Sequence, residues 1–128
     1  MSHRIISTPN APAAIGPYSQ GCVAGRLLFI SGQIPLNPET GEMETDIVRA
    51  TIRCMENILA VAKAAGEGVH LAKVTIYLTD ISRFGRVNEA YADFFDQAPP
   101  ARACVEVSAL PKGAPVEIEA IAILPEVD

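Results

Sequence analysis

Residue types capable of chemistry alternate along two short segments near the C-terminal end of the chain. Arg102 and Cys104 are spaced by two in the first segment, and Glu117 and Glu119 are spaced by two in the second. A planar guanidinium can hold a carboxylate through two parallel hydrogen bonds, and a glutamate can accept and return a proton. The spacing by two predicts that each pair lies on one face of a β-strand.

Arg102 and Glu117 each have a purely structural interpretation as well. Arg102 is able to form an interface ion pair with Glu106 or Glu119, and on the residues alone this role is slightly favoured over anion binding. Glu117 is also compatible with a solvated position on an exposed strand. The residue types therefore define a candidate site for anion binding and proton transfer, with these alternatives open.

Cys104 follows Arg102 on the same strand face, where a positive charge would favour a reactive thiolate. A free cysteine more often behaves as a small apolar residue. The two histidines, His3 and His70, are not placed to serve as its base, so we expect Cys104 to line a pocket rather than to act as a nucleophile. Neither histidine stands at metal-ligand spacing to a cysteine or an acid, so no metal site is expected.

The composition restricts the class of protein. A chain of 128 residues, 49% of them hydrophobic, is compatible with one globular domain over residues 1–128. The formal net charge of −5 argues against a nucleic-acid binder, which normally presents a basic face. The three cysteines form no Cys-x-x-Cys pair, and we find neither a signal-peptide pattern nor an apolar run of bilayer length. We therefore expect a cytoplasmic protein with reduced thiols and no membrane partner.

Two helices are predicted from the spacing of apolar residues. Steps of three and four residues predict a helix over about 46–65, with Thr45 or Asp46 as its cap and Gly66 as its end. A second helix is predicted from about 82 or 83 to 96, where a pair of prolines stops the segment.

The remaining elements are predicted to be strands. Proline and glycine punctuate the beginning of the chain, which favours short strands and turns, among them a turn at 37–41. The clearest strands are 27–31, 73–79, 101–107 and 116–124, the last two expected as antiparallel neighbours. The order β-β-β-α-β-α-β-β predicts an α+β fold, a single mixed sheet with two helices packed on one face.

Alternation along the two late strands predicts the face on which each side chain lies. The small and branched residues suit the helix-covered face; they are Ala103, Val105, Val107, Val116, Ile118, Ala120 and Ala122. The other face would combine Arg102, Cys104 and the acidic residues with Ile121 and Ile123. A solvated face does not ordinarily carry that much apolar surface. We therefore expect this face to be buried between subunits, with polar residues gathered in clefts at the interface.

Four segments together resemble the RidA (YjgF-type) family of reactive intermediate deaminases. They follow one another along nearly the whole chain: NAPAAIGPYSQG at 10–21, SGQIP at 31–35 with the NPETG turn after it, PARACVEV at 100–107 and VEIEAIA at 116–122. Any one segment is weak evidence, whereas all of them in order and at nearly the expected separations are highly specific.

The resemblance implies a chorismate-mutase-like fold assembled as a homotrimer, with three sites in the clefts between subunits. It implies a 2-iminobutanoate/2-iminopropanoate deaminase. Such an enzyme hydrolyses enamines and imines released by pyridoxal-phosphate enzymes, for example 2-aminoacrylate and 2-aminocrotonate, to 2-oxo acids and ammonia. The family uses neither a metal nor a bound cofactor, so the resemblance implies none here.

The resemblance also assigns roles to individual residues. Arg102 corresponds to the carboxylate-binding arginine of the family, Glu117 to its water-orienting glutamate, and Tyr18 to the tyrosine that closes over the ligand. With these correspondences, substrate binding becomes the favoured role of Arg102 and proton handling the favoured role of Glu117.

Further family positions are expected to line the same site. Ser31 and Gly32 correspond to the Ser-Gly pair near the ligand, and Cys104 corresponds to the cysteine on the arginine strand. Asn88, in the second helix, is also similar to a family position. One departure stands beside the site: the segment before the PAR motif is short, with Pro99 where relatives often have an aromatic residue. We expect this shorter segment to open the pocket or to change the range of imines that it accepts.

Two other functions are compatible with the resemblance. A trimeric regulatory protein that binds 2-oxo acids without useful catalysis would use Arg102 but would not need Glu117. An endoribonuclease activity is attached to some relatives, and the acidic balance and the lack of a catalytic histidine argue against it here.

Overall fold

Six strands and two α-helices follow one another in the predicted order. The computed structural model describes residues 3–126. Its strands are β1 His3–Ile6, β2 Gly21–Ala24, β3 Leu27–Gln33, β4 His70–Leu78, β5 Ala101–Glu106 and β6 Val116–Ile123, and its helices are α1 Ile47–Ala65 and α2 Phe84–Ala92. Short 3-10 turns, Ile81–Arg83 and Pro111–Gly113, precede α2 and β6. The predicted α+β architecture is confirmed.

Helix α1 begins and ends at the predicted capping residues. The Asp46 carboxylate accepts a hydrogen bond from the Arg49 N–H at 3.0 Å, which satisfies one of the free N–H groups of the first turn. Gly66 follows the last helical residue with φ +144, a conformation that favours glycine. No helix within residues 3–126 is long and apolar enough to cross a membrane.

Helix α2 ends at Ala92, earlier than predicted. The Phe94 N–H donates to the Tyr91 carbonyl and the Phe95 N–H to the Ala92 carbonyl, both at 3.1 Å. These three-residue steps tighten the chain into a turn of 3-10 type. Both phenylalanines still pack against the core, so the apolar pattern continues beyond the end of the helix.

The sheet order is β1-β2-β3-β6-β4-β5. All neighbours are antiparallel except β4 and β5, which are parallel. The predicted antiparallel pairing of β5 with β6 is therefore wrong. Strand β6 buries every second residue and lies between β3 and β4, where its backbone groups on both sides are paired. The connection through α2 returns the chain parallel to β4 and leaves β5 at the sheet edge.

The open face of the sheet carries the two late acids, as alternation predicts. Glu117 lies opposite Tyr77, and Glu119 lies opposite Thr75, all on the face that no helix covers. The same face exposes apolar side chains: the exposed fraction is 53% for Ile5 and 43% for Phe29. Strand β3 is accordingly covered on one face only, since its exposed and buried residues alternate from Leu27 to Ile30.

The predicted face of Arg102 and Cys104 is wrong. Arg102 lies opposite Val74 and Cys104 lies opposite Ile76, and both partners are fully buried core residues. Arg102 and Cys104 therefore point to the helix-covered side, and the small residues of β5 point to the open face. The reason is the edge position of β5, where α2 supplies a partly covered environment that an arginine can occupy.

Candidate functional site

A cleft of about 650 Å³ lies on the open face, where β3 ends and β6 begins. The irregular segment 12–18, the end of β3 and the turn before β6 form its walls. Four predicted site residues, Tyr18, Ser31, Gly32 and Glu117, come together in it. We call it the Glu117 cleft.

A β-bulge brings Gly32 against Glu117. The register between β3 and β6 shifts between Ile30 and Gln33, so Gly32 lies in the irregular part of the strand. A Cβ atom built on Gly32 would lie 2.9 Å from the carboxyl carbon of Glu117, closer than real Cβ contacts. Glycine therefore lets the carboxylate lie in this position, which any side chain at 32 would force it to leave, and a bulge is a common way to aim a side chain at a site.

The environment of Glu117 favours the protonated form of its carboxyl group more than water does. Burial raises the pKa of Glu117, and the negative charge of Glu119 raises it further. Burial, and after it the negative charge of Glu119, also raise the pKa of Tyr77 on the neighbouring strand. A carboxyl group with a raised pKa is better matched to accepting and returning a proton at physiological pH.

Tyr18 stands at the mouth of the Glu117 cleft, with 52% of its surface exposed. Its hydroxyl oxygen accepts a long hydrogen bond from the Ile15 N–H at 3.4 Å. The Ser31 hydroxyl donates to the Ser19 carbonyl, and the Ser31 N–H donates to the Gln20 carbonyl at 2.9 Å. Ser31 thus fastens the Tyr18 segment to β3, a geometry that favours a shaping role over proton transfer.

Arg102 lies in a second cleft, of about 390 Å³, between β5 and α2. Its Nη1 donates to the Asn88 Oδ1 at 2.7 Å. Its guanidinium carbon is 5.4 Å from the ring centre of Phe84 and 5.1 Å from that of Tyr91, within the range of cation–π attraction. We call this the Arg102 cleft; Pro99, the departure before the PAR motif, contributes to its wall.

Phe84 and Tyr91 are functional candidates that the sequence reasoning placed only in the packing stripe of the helix. With Asn88 they stand at positions i, i+4 and i+7, which share one face of a helix. This spacing indicates that the three side chains contact the same part of the molecule, but the sequence does not show that this part is Arg102. In the described chain, residues 3–126, Arg102 makes no salt bridge, either with Glu106 or with Glu119.

Cys104 lies beside the core rather than in either cleft. It is partly buried and packs against the apolar cluster. Burial raises its pKa, and the charge of Arg102 opposes that rise without cancelling it. The neutral thiol is therefore favoured, which argues against a nucleophilic role.

The two clefts open on opposite sides of the sheet. Glu117, Gly32 and Tyr18 face one side, and Arg102 with Asn88 faces the other. Within one chain, therefore, the candidate for anion binding, Arg102, and the candidate for proton transfer, Glu117, lie on opposite sides of the sheet. If both act on one small molecule, they must come from two chains.

Known proteins resemble this chain over nearly its full length. Residues 8–124 match the family model described as Endoribonuclease L-PSP. The 2-iminobutanoate/2-iminopropanoate deaminase of Escherichia coli K12 is 45% identical over 124 residues, 94% of this chain and 97% of that protein.

Solved structures share the fold. The structure of YyfA from Yersinia pestis, described as a member of the conserved Rid protein family, has a TM-score of 0.91 and 48% identity, over 96% of this chain and all of that one. Escherichia coli TdcF with bound serine has a TM-score of 0.90 and 43% identity, over 95% and 99% of the two chains. The chain belongs to the RidA (YjgF-type) family.

Proposed function

We propose that the protein is a deaminase that hydrolyses reactive 2-enamine and 2-imino acids, such as 2-aminoacrylate and 2-aminocrotonate, to 2-oxo acids and ammonia. The observation that carries the proposal is the Glu117 carboxyl, which a glycine bulge admits into a cleft and whose pKa burial raises. The 45% identical deaminase supports the same reaction. We place this removal of damaging intermediates in the cytoplasm, in keeping with the three free cysteines.

The reaction needs only positioning and proton transfer. The Arg102 guanidinium holds the substrate carboxylate and fixes the adjacent C=N bond. A water adds to the electrophilic carbon of the iminium while the Glu117 carboxylate accepts one of its protons. Glu117 returns that proton to the nitrogen of the carbinolamine and then accepts the hydroxyl proton as the C–N bond breaks, so that ammonia leaves and the carbon keeps oxygen as the carbonyl of the 2-oxo acid.

Assembly as a homotrimer would unite the two clefts. In this arrangement Arg102 of one subunit faces Glu117 and Tyr18 of its neighbour, so that three identical sites form around the ring. The exposed apolar side chains of the open sheet face support burial against another copy, since monomers rarely leave such patches in water.

The direct test is a coupled assay. A dehydratase or oxidase that releases 2-aminoacrylate supplies the substrate, and ammonia or 2-oxo acid formation is followed with and without this protein. Acceleration over spontaneous hydrolysis is expected. Tight binding of 2-oxobutanoate without acceleration would contradict the deaminase and favour a 2-oxo-acid-binding regulatory trimer.

Coexpression of two inactive variants tests whether the site is shared. In mixed trimers of Arg102→Ala and Glu117→Gln chains, some interfaces receive both native side chains. Random equal mixing should restore about a quarter of the sites, because each site requires the right chain on both sides. Each variant assembled alone should remain inactive; mixed trimers with no recovered activity would show that the two residues do not meet across the interface.

Gly32→Ala is expected to displace Glu117 without unfolding the protein. The added methyl group would overlap the end of a flexible side chain rather than the backbone, so the carboxylate moves. We expect kcat to fall by about 10–100-fold, as misplaced groups commonly cost, with little change in melting temperature. Gly85→Ala is the matched control, because nothing lies within 4 Å of the added atom; equal activity of both variants would contradict the role of the bulge.

RNA cleavage is the second candidate, because it is the activity in the description of the matching family model. The net charge of −5 opposes tight binding to a polyanion. Cleavage of RNA that survives extensive purification and disappears in Glu117→Gln would support it over the deaminase.

A further inference from the structure

The segment that carries Tyr18 has little structure of its own. Residues 7–20 lie between β1 and β2 without helix or strand. The hydrogen bonds within residues 12–18 are few. The Tyr18 N–H donates to the Gly16 carbonyl at 2.9 Å, and the Ile15 N–H donates to the Tyr18 hydroxyl oxygen at 3.4 Å. Something else must hold this wall of the Glu117 cleft in place.

The Gln20 side chain supplies that support. It is 4% exposed. Its Oε1 accepts from the Thr8 N–H at 2.6 Å, and its Nε2 donates to the carbonyls of Thr8, Ala11 and Pro12 at 3.0, 3.2 and 2.8 Å. One buried amide thus satisfies backbone groups on both sides of a turn that would otherwise lack partners.

The backbone of Gln20 is fixed in turn. Its carbonyl accepts from the Ser31 N–H at 2.9 Å, and the preceding carbonyl, of Ser19, accepts from the Ser31 hydroxyl. Gln20 therefore connects the bulged end of β3, which carries Gly32, with the turn from which the Tyr18 segment departs.

The opposite wall of the cleft is held in a similar way. Asn57, fully buried on α1, donates through Nδ2 to the carbonyl of Leu36 at 3.0 Å and to that of Ile34 at 3.4 Å. Both Ile34 and Leu36 line the Glu117 cleft. The Asn57 Oδ1 has no hydrogen-bond partner among the described residues, so this second amide supports the cleft through its donor side alone.

We propose that Gln20 is a positioning residue that presets Tyr18 and the adjoining wall of the Glu117 cleft for substrate binding. This proposal rests on the deaminase function proposed above. Gln20 contributes to the lining of the Glu117 cleft, but its side-chain hydrogen bonds all go to the backbone of residues 8–12, so we expect it to act through that backbone.

Gln20→Leu tests the proposal, because leucine keeps a similar volume but has no hydrogen-bonding group. Amide hydrogen exchange over residues 9–19 should rise, while exchange in α1 stays unchanged. KM for 2-aminoacrylate should rise more than kcat falls, with a total loss in kcat/KM of about tenfold or more. Thr51→Val is the matched control: it removes a buried side-chain hydrogen bond, to the Ile47 carbonyl, away from the cleft.

A double-mutant cycle distinguishes positioning from general destabilisation. If Gln20 acts through Tyr18, Tyr18→Ala should lower kcat/KM strongly in the native background and by less than about twofold when Gln20 is already replaced. Gln20→Met, which keeps the length and flexibility of the side chain but has no donor, replaces Gln20→Leu if that variant does not fold.

Three results would overturn the role of Gln20. They are unchanged exchange over residues 9–19, native kcat/KM in a variant with raised exchange, and full additivity of the Gln20 and Tyr18 substitutions. Failure of the proposed function is distinguishable from these, because the native protein itself would then not accelerate the hydrolysis of 2-aminoacrylate, whether or not it binds 2-oxobutanoate.

Discussion

Arg102→Ala should lower kcat/KM for 2-aminoacrylate by about 10²–10³-fold, equivalent to about 3–4 kcal/mol of lost transition-state stabilisation. The guanidinium is held by the Asn88 side chain and by the rings of Phe84 and Tyr91. It therefore presents a fixed fork to a carboxylate without first losing side-chain freedom. Alanine removes the anchor, so KM should rise and the electrophilic carbon should lose its defined position.

Two further variants show whether the loss of kcat/KM comes from the planar guanidinium of Arg102 or from the removal of any arginine. Arg102→Lys keeps the charge but not the planar fork, and should be intermediate in kcat/KM. Arg86→Ala, at an exposed arginine of α2, should behave as the native protein. The measurement is steady-state turnover together with sedimentation velocity, so that loss of assembly is separated from loss of binding. Native turnover by a correctly assembled Arg102→Ala protein would refute the assignment.

Glu117→Gln should lower kcat by about 10²–10⁴-fold, the usual contribution of a positioned acid–base group. The amide occupies the same space beside Gly32, so binding of 2-oxobutanoate, measured by titration calorimetry, should persist. A loss of binding comparable to the loss of kcat would indicate that Glu117 holds the ligand rather than moves a proton.

The pH profile provides an independent readout for Glu117. The carboxylate form is the base, so activity should fall on the acid side as Glu117 takes up a proton. Because burial and the charge of Glu119 raise its pKa, this fall should begin at a higher pH than for an ordinary glutamate. Glu119→Gln removes the repelling charge, lowers the pKa of Glu117, and should move the acid limb to lower pH. An acid limb that does not respond to Glu119 would assign the titration to another group.

Local signals in the sequence were sufficient for most elements. Asp46 and Gly66 mark the ends of α1 because capping depends on a few adjacent residues. The apolar pattern predicts a longer α2 than the structure has, because Phe94 and Phe95 still pack against the core beyond the end of the helix. An apolar pattern reports burial, and burial does not require helical backbone.

The arrangement of strands depended on contacts that alternation cannot reveal. The residue types along β5 do not show that this strand pairs with β4 rather than with β6. Alternation also does not reveal that α2 lies over this edge strand and receives Arg102 on the helix-covered face. The residues of the Glu117 cleft were predictable because they come from motifs, whereas the bulge that joins Gly32 to Glu117 needs the register of β3 against β6.

The location of the two clefts on opposite sides of the sheet has a consequence for how activity depends on concentration. If every site is shared between chains, an isolated subunit holds only separated parts of two sites. Specific activity then follows the association equilibrium, and dilution lowers it even though each chain stays folded. A cell would then control the proposed activity partly through the abundance of the chain, because doubling the number of chains near the dissociation constant more than doubles the number of working sites.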